Sequence, residues 1–188
     1  TVNVNGMKQT DKGGHYAWGE FTKKTIYSWD NYKYCKGTGK TITKYGVDAT
    51  YGVVDNLTKL EASDDVATIA YGTKWHMPDR NQFEELLTEC DYKIVTISGT
   101  KCFKFPSRKN YNYIVLPCAG RYEDGNADIV SDNGSGFYWS RDLYTTPGKV
   151  YSFTHYMRIA SDVINDGAEP MLVRDRCYGM SVRPVMDK

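Results

Sequence analysis

The sequence predicts a fold of the α+β class, and three observations lead to this prediction. Aromatic residues make up 14% of the 188 residues, and the chain holds 16 tyrosines and 17 glycines. This mixture is typical of short strands joined by many turns. Two segments with a helical pattern come early, and segments with a strand pattern follow them. This order favours two helices packed on short, mostly antiparallel sheets with long irregular loops.

The first helix is predicted to begin near Ser63, a favourable N-cap, and to end at Gly72. The second helix is predicted to follow Asp79, because Asp79 and Gln82 have the spacing of a capping box. Apolar residues then recur at helical spacing and share one face, namely Phe83, Leu86, Leu87 and Cys90.

The later part of the chain predicts strands. The segments "YKIVTI" and "KCFKF" surround "SGT" and predict a hairpin. Further short strands are indicated by "YNYIVLP", "GFYWS", "KVYSFTH" and "GMSVRPV". The loops between them, at 122–135, 142–148 and 158–176, are long for a compact domain, and such loops are often functional.

Side-chain alternation separates two neighbouring aromatic residues. Successive residues of a strand face opposite sides, so Tyr138 and Trp139 cannot both enter one core. We assign Trp139 to the core and place Tyr138 on the other side, under a second layer or a loop. Trp75 and Phe83 are also predicted to be buried.

Charge and hydropathy exclude several classes of partner. Lysine and arginine number 24 against 23 acidic residues, which gives a formal charge of +1, so nucleic acid is not an expected partner. No apolar run approaches the roughly 20 residues that span a bilayer, so membrane insertion is not expected. The first residues lack the layout of a signal peptide, as a processed chain also would.

The five cysteines form no Cys-x-x-Cys pair, so a zinc site is not expected. Cys90 and Cys102 flank a predicted strand and turn. Two alternatives remain open for them, a disulfide bond or buried free thiols.

Five motifs occur in one order from about residue 10 to the C-terminus: "GGHYAWGEFTKKTIYSWDNYK", "WHMPDRNQFEELLTEC", "NYIVLPCAGRYEDG", "GSGFYWS" and "YGMSVRPV". Together they resemble the bacterial family called the Fibrobacter succinogenes major paralogous domain. Its members are similar to C-type lectin-fold proteins, are usually secreted or surface-attached, and have no established catalytic residues.

The resemblance implies a single C-type lectin-like domain over residues 1–188 that is extracellular or on the cell surface, is not an enzyme and needs no cofactor. The family has another strand before the first motif, so here that strand is expected to be trimmed or replaced. Arg141 stands where the family commonly has a second serine, which is a hint about recognition.

The C-type lectin fold is also used by variable proteins of diversity-generating retroelements, which place variable positions on loops near the C-terminus. Residues 138–188 resemble that layout. The residues predicted to contact a ligand, hereafter the predicted contact set, are Arg141, Asp142, Tyr144, His155, Tyr156, Arg158, Arg174, Asp175, Arg176 and Tyr178. Tyrosine and arginine suit this role, and we expect these side chains to be largely exposed.

The expected function is therefore a non-enzymatic module that presents residues 141–178 to a protein or glycan on another cell or surface. The alternative is a structural or accessory domain of a bacterial surface or pilus-like assembly, with no ligand of its own. Variation confined to residues 141–178 among homologous sequences would favour the first.

Catalytic and metal sites are weaker interpretations. Ser140, His155 and Asp142 compose a triad on paper, but no Gly-x-Ser-x-Gly elbow accompanies them. The loop at 122–135 holds acidic residues that suggest a glycosidase pair or a calcium site, namely Glu123, Asp124, Asp128 and Asp132. Cys177 lacks the nearby partner cysteine that an oxidase of this fold would use. No catalytic residue and no metal ligand is predicted.

Arg183 lies in the last predicted strand, in "SVRPV". Such an arginine commonly snorkels or pairs with a carboxylate. The family resemblance implies a structural tie rather than a ligand contact.

Overall fold

The computed structural model describes residues 1–146 and 152–187. This part of the chain is a mixed α+β protein that is mostly sheet, with three short helices. The helices are α1 (Val66–Tyr71), α2 (Arg80–Glu89) and α3 (Ser161–Asn165). Two single 3-10 turns, Trp29–Asn31 and Ala49–Tyr51, precede them. No helix in the described ranges has the length and apolar character needed to cross a membrane.

Ten short strands follow in chain order: β1 (His15–Tyr16), β2 (Trp75–His76), β3 (Lys93–Ile97), β4 (Thr100–Pro106), β5 (Tyr113–Pro117), β6 (Gly136–Leu143), β7 (Phe153–Ile159), β8 (Met171–Asp175), β9 (Met180–Ser181) and β10 (Val185–Met186). The largest sheet has the order β1-β9-β6-β7-β8. A three-stranded sheet β3-β4-β5 and the pair β10-β2 complete the fold. The pairing is antiparallel except between β6 and β9.

The start of α2 confirms the predicted capping box. The Asp79 carboxylate accepts from the Gln82 amide at 3.0 Å, and the Gln82 side chain accepts from the Asp79 amide at 3.0 Å. The start predicted for α1 is wrong by two residues. The Asp65 carboxylate accepts from the Ala67 amide at 2.8 Å and from the amide of Met77, beyond the helix, also at 2.8 Å. Asp65 therefore caps the helix in place of Ser63.

The predicted strands are confirmed with one correction, and the irregular loop predicted at 158–176 is wrong, because this range contains α3 and β8. The predicted hairpin is β3–β4, and β5 ends at Pro117 as expected. The last predicted strand is instead two short strands, because the chain leaves β9 after Ser181 and then pairs Val185 with His76 of β2. The strand predicted from "KVYSFTH" is β7, and residues 149–151 of that prediction lie outside the described residues.

Two cores lie on opposite faces of the five-stranded sheet, as the alternation of Tyr138 and Trp139 predicted. Trp139 is fully buried in the first core, where its neighbour on β7, Tyr156, is buried beside it. Tyr138 is fully buried in the second core with its own neighbour on β7, Met157.

The burial predicted for Phe83 is confirmed, and that predicted for Trp75 is wrong. Phe83 projects from α2 into the second core. Trp75 is only partly buried, because it lies in the two-residue strand β2 beside the exposed Met186 of β10. All five cysteines are free, so the free-thiol alternative for Cys90 and Cys102 is confirmed.

Two tryptophans join the irregular N-terminal segment to β6. The Trp18 indole N–H donates to the Ser140 carbonyl at 2.8 Å. The Trp139 indole N–H donates to the Tyr16 carbonyl, also at 2.8 Å. The Trp18 ring therefore bonds to the backbone one residue from Trp139, and the Trp139 ring bonds to the backbone two residues from Trp18. Both rings are fully buried.

Arg183 confirms the expected structural tie, although its partners are not carboxylates. Its side chain is only 3% exposed. The guanidinium donates to the Asn3 side-chain oxygen at 2.9 Å, to the Val115 carbonyl at 2.7 Å and to the Thr1 carbonyl at 2.6 Å. It therefore holds the first residues of the chain against β5.

We predict that Arg183→Met lowers the free energy of unfolding by about 3 kcal/mol, because several buried acceptors lose a charged donor. Urea unfolding followed by circular dichroism measures this change. A Met variant as stable as the unaltered protein would contradict the structural role.

Asp64 is a buried carboxylate that collects several donors. It accepts from the Tyr45 hydroxyl at 2.7 Å, from the Lys44 amine at 2.6 Å and from the Lys33 amine at 3.3 Å. Burial alone would raise the pKa of Asp64, but the hydrogen bonds from Lys44 and Tyr45 outweigh it and lower the pKa to about 2. The carboxylate is thus stabilised in its charged form.

This shift predicts a stability change at acid pH. A carboxyl whose pKa is lower in the folded state stabilises the fold above its unfolded pKa of about 4 and loses that contribution as the pH falls towards about 2. The unaltered protein should exceed Asp64→Asn in stability at pH 6, and the difference should narrow steadily below pH 4. Urea unfolding at a series of pH values measures it, and a difference that does not change between pH 6 and pH 2.5 would refute the prediction.

Candidate functional site

The register of the large sheet brings part of the predicted contact set to one end. Leu143 of β6 pairs with Thr154 of β7, and Thr154 pairs with Arg174 of β8. The end of β6, the start of β7 and the end of β8 therefore lie side by side. Tyr144, His155 and Arg174 all lie at this end, with Arg174 on the opposite face of the sheet from His155 because it pairs with Thr154, and we call these three residues the sheet-end patch.

Tyr144 and His155 form an aromatic pair in the sheet-end patch. Their ring centroids lie 5.4 Å apart with an interplanar angle of 82°. Both residues are half-buried. Burial, followed by the nearby charge of Arg80, lowers the pKa of His155, so the imidazole is neutral at pH 7. Arg174 is exposed at the same end of the sheet, on the other face.

Two members of the predicted contact set are buried, and the expectation that they are exposed is wrong. Tyr156 is 2% exposed and packs edge-on against Trp139, with ring centroids 6.1 Å apart. Arg176 is 0% exposed, and its guanidinium lies 5.5 Å from the Trp18 ring centroid. Both side chains belong to the packing of the first core, so a ligand cannot reach them without unfolding.

Arg141 and Asp142 connect β6 to the start of α2. Asp142 accepts from the Arg80 amide at 2.7 Å, and Arg141 lies 3.7 Å from the Asp79 carboxylate. Lys59 lies 3.5 Å from both carboxylates. Burial would raise the pKa of Asp79, but the Gln82 amide and these cations lower it. The two residues are partly exposed, and the Asp142 carboxylate is committed to this joint.

The remaining members have mixed surroundings. Arg158 makes two hydrogen bonds to Asp162 at 2.9 and 2.8 Å. Asp175 is half-buried and accepts from the Ser152 hydroxyl at 3.2 Å, and burial raises its pKa. Tyr178 is half-buried, 5.9 Å from the Arg121 guanidinium.

Lys59 and Arg80 are the residues at this end that the sequence did not indicate. Lys59 comes from the irregular segment before α1, and Arg80 from the first turn of α2. Their contacts with Asp142 cross 83 and 62 positions of the chain, respectively. No local pattern predicts contacts of such long range.

The geometry does not assemble the catalytic triad that the residue types allow on paper. Ser140 is fully buried, and its hydroxyl accepts from the Asp142 amide at 3.1 Å. His155 instead meets the Tyr144 ring edge-on. The Cys177 thiol is also buried, and burial raises its pKa, which disfavours a reactive thiolate.

The acidic residues of the loop at 122–135 have separate partners. Glu123 binds Arg121, Asp124 accepts from the Trp29 amide at 3.2 Å, and Asp132 pairs with Lys12. In the described part of the chain, no group of three or more His, Cys, Asp or Glu side chains is placed to hold a metal ion.

No family model matches the chain, and neither a curated protein nor a solved structure matches it. The resemblance to the paralogous-domain family therefore rests on the five sequence motifs alone.

Proposed function

We propose that this protein is a non-enzymatic ligand-binding module of C-type lectin-like fold. It works outside the cell or on its surface and presents its C-terminal loops to a protein or glycan on another cell or surface. The observation that carries the proposal is the contrast at the sheet end. The sheet-end patch is partly exposed to solvent, whereas β6 and β7 beneath it are largely buried on both faces.

The positions of the five motifs support membership of the paralogous-domain family. Each motif contributes a buried residue to the framework, and these residues are Trp18, Phe83, Leu116, Trp139 and Arg183. The pattern that resembles the family is thus the pattern that this packing requires. A fold held by such residues tolerates changes in its exposed loops.

The sheet-end patch suits recognition for chemical reasons. Tyr144 and the neutral His155 offer two aromatic faces with polar atoms at their edges, and such rings bury much area at little cost in ordering. Arg174 adds a forked donor for carboxylate, phosphate or carbonyl oxygens. If the protein is a retroelement variable protein, we expect its variable positions among these exposed residues and not at Tyr156 or Arg176.

One observation favours the alternative, a structural or accessory domain of a surface assembly. The strand β8 is an edge of the five-stranded sheet. The Arg158 amide donates to the Pro170 carbonyl, and the Arg176 amide donates to the Ser152 carbonyl. In this register the backbone N–H and C=O of Val173 point away from β7, and no described residue pairs with them. An exposed strand edge of this kind can pair with a strand of another subunit.

The double variant Tyr144→Ala and Arg174→Ser tests the proposal. We expect it to lower the affinity for any ligand identified on arrays of glycans and bacterial surface proteins by at least about tenfold, because a few Tyr and Arg side chains carry most interface energy. Its free energy of unfolding should stay within about 1 kcal/mol of the unaltered protein, since neither side chain is fully buried. Surface plasmon resonance and urea unfolding supply the two readouts.

The matched control is Tyr111→Asn with Arg108→Ser, which removes an exposed tyrosine and an exposed arginine near the β4–β5 turn. Asparagine is chosen because Tyr111 has a φ of 61°, which asparagine tolerates. The control should bind like the unaltered protein. Equal losses in both variants would reject the sheet-end patch, and a filament or oligomer that forms without any ligand would favour the alternative.

A further inference from the structure

A cleft of about 330 Å³ lies away from the sheet-end patch, where the first residues of the chain meet two loops. Its walls come from the segment leading into β1, from the loop that contains Lys23 and Tyr27, and from the loop that follows Tyr122. It shares no residue with the predicted contact set. Two tyrosine rings, Tyr27 and Tyr122, lie against each other in its wall, with centroids 5.0 Å apart and an angle of 29°. Tyr27 is buried, so of the two it is the half-buried Tyr122 that can face a ligand.

The cleft has a positive local charge that the total of +1 for the chain conceals. Three lysines line it against one acidic residue, Asp132. Lys12 pairs with Asp132, and Lys24 pairs with Glu20. Lys23 is exposed, and no carboxylate of the described residues lies within ion-pair distance of it. Its ammonium group therefore remains available to an anionic ligand.

His15 contributes an acceptor beside the tyrosines. Its Nε2–H donates to the Ala119 carbonyl at 2.9 Å, since a carbonyl can only accept. Burial lowers the pKa of His15, so its ring is neutral and Nδ1 keeps a lone pair. The ring meets Tyr122 edge-on, with centroids 5.3 Å apart. A lysine, the half-buried Tyr122 ring and a largely buried neutral acceptor thus lie together in the wall of this cleft.

A second cleft adjoins the first and repeats the combination of a lysine with an aromatic ring. Its volume is about 230 Å³, and Lys24 lines both clefts. Phe21 lies in its wall and is 48% exposed, which is a large exposed fraction for a phenylalanine. The Lys33 ammonium lies 5.4 Å from the Phe21 ring centroid.

We propose that these adjoining clefts bind consecutive sugar units of an acidic oligosaccharide, with Lys23 facing a sugar carboxylate and Lys33, whose ammonium also lies 3.3 Å from Asp64, beside the second unit. Aromatic rings cover the apolar faces of a sugar ring, and lysines bind the carboxylate of a uronic acid. Hydroxyl groups then find acceptors at His15 and Asp132 and a donor at the Tyr122 hydroxyl. An acidic sugar uses all three kinds of group, whereas a simple anion uses only the lysines.

Titration calorimetry with defined oligomers tests this proposal. Tetragalacturonate should bind, and neutral galactotetraose should bind at least about tenfold more weakly, because it lacks the carboxylates. Lys23→Gln should weaken the binding of tetragalacturonate by about tenfold, and Lys23→Arg should restore most of it. Lys93→Gln is the matched control, because Lys93 is an exposed lysine on β3 and lines neither cleft.

The remaining outcomes decide against the proposal. It is overturned if tetragalacturonate does not bind, if Lys23→Gln binds it as the Lys93→Gln control does, or if tetraglutamate binds equally well, which would indicate an acidic peptide. Monogalacturonate should bind more weakly than the tetramer, and equal affinity would exclude two consecutive subsites. None of these results depends on the sheet-end patch, so failure of the oligosaccharide proposal can be distinguished from failure of the proposed function.

Discussion

The hydrogen bonds from the indoles of Trp18 and Trp139 join the irregular N-terminal segment to β6 in both directions. The N-terminal segment has only the two-residue strand β1 as a regular link to the large sheet. The Trp18 ring reaches the Ser140 carbonyl, and the Trp139 ring returns to the Tyr16 carbonyl. A buried carbonyl without a donor costs about 1–3 kcal/mol, so both rings are needed in place.

Tyrosine hydroxyls extend this joint along the same segment. Tyr27 donates to the His15 carbonyl at 2.5 Å, and Tyr32 donates to the Trp18 carbonyl at 2.8 Å. Hydrogen bonds from aromatic side chains therefore satisfy backbone carbonyls that a neighbouring strand would satisfy in a regular sheet. Because these bonds fix residues 15–18, they also shape the lysine-lined clefts beside His15 and, through Trp18, the buried position of Arg176.

The sequence predicted elements that depend on local pattern. The capping box at Asp79 and the hairpin β3–β4 have signals within a few residues, and the opposite faces of Tyr138 and Trp139 follow from alternation alone. The partial exposure of Trp75 was not predictable from the sequence, because it depends on the length of β10, the strand that pairs with β2.

The candidate site was less predictable for a related reason. Loop position and residue type favoured exposure for Tyr156 and Arg176, but alternation does not tell which face of β7 a distant segment covers. Trp18 and Tyr45 belong to that cover, and both come from the irregular N-terminal part. Arg174 and Arg176 show the limit, since they are two positions apart and one is exposed while the other is fully buried.

A double-mutant cycle on Trp18→Phe and Trp139→Phe tests most directly whether the two indole bonds act as one joint. The free energies of unfolding of the unaltered protein, both single variants and the double variant are measured in urea. If the bonds hold one interface together, the double variant should lose about 1 kcal/mol less than the sum of the single losses. Losses that add to within about 0.3 kcal/mol would contradict this account and show two independent contacts.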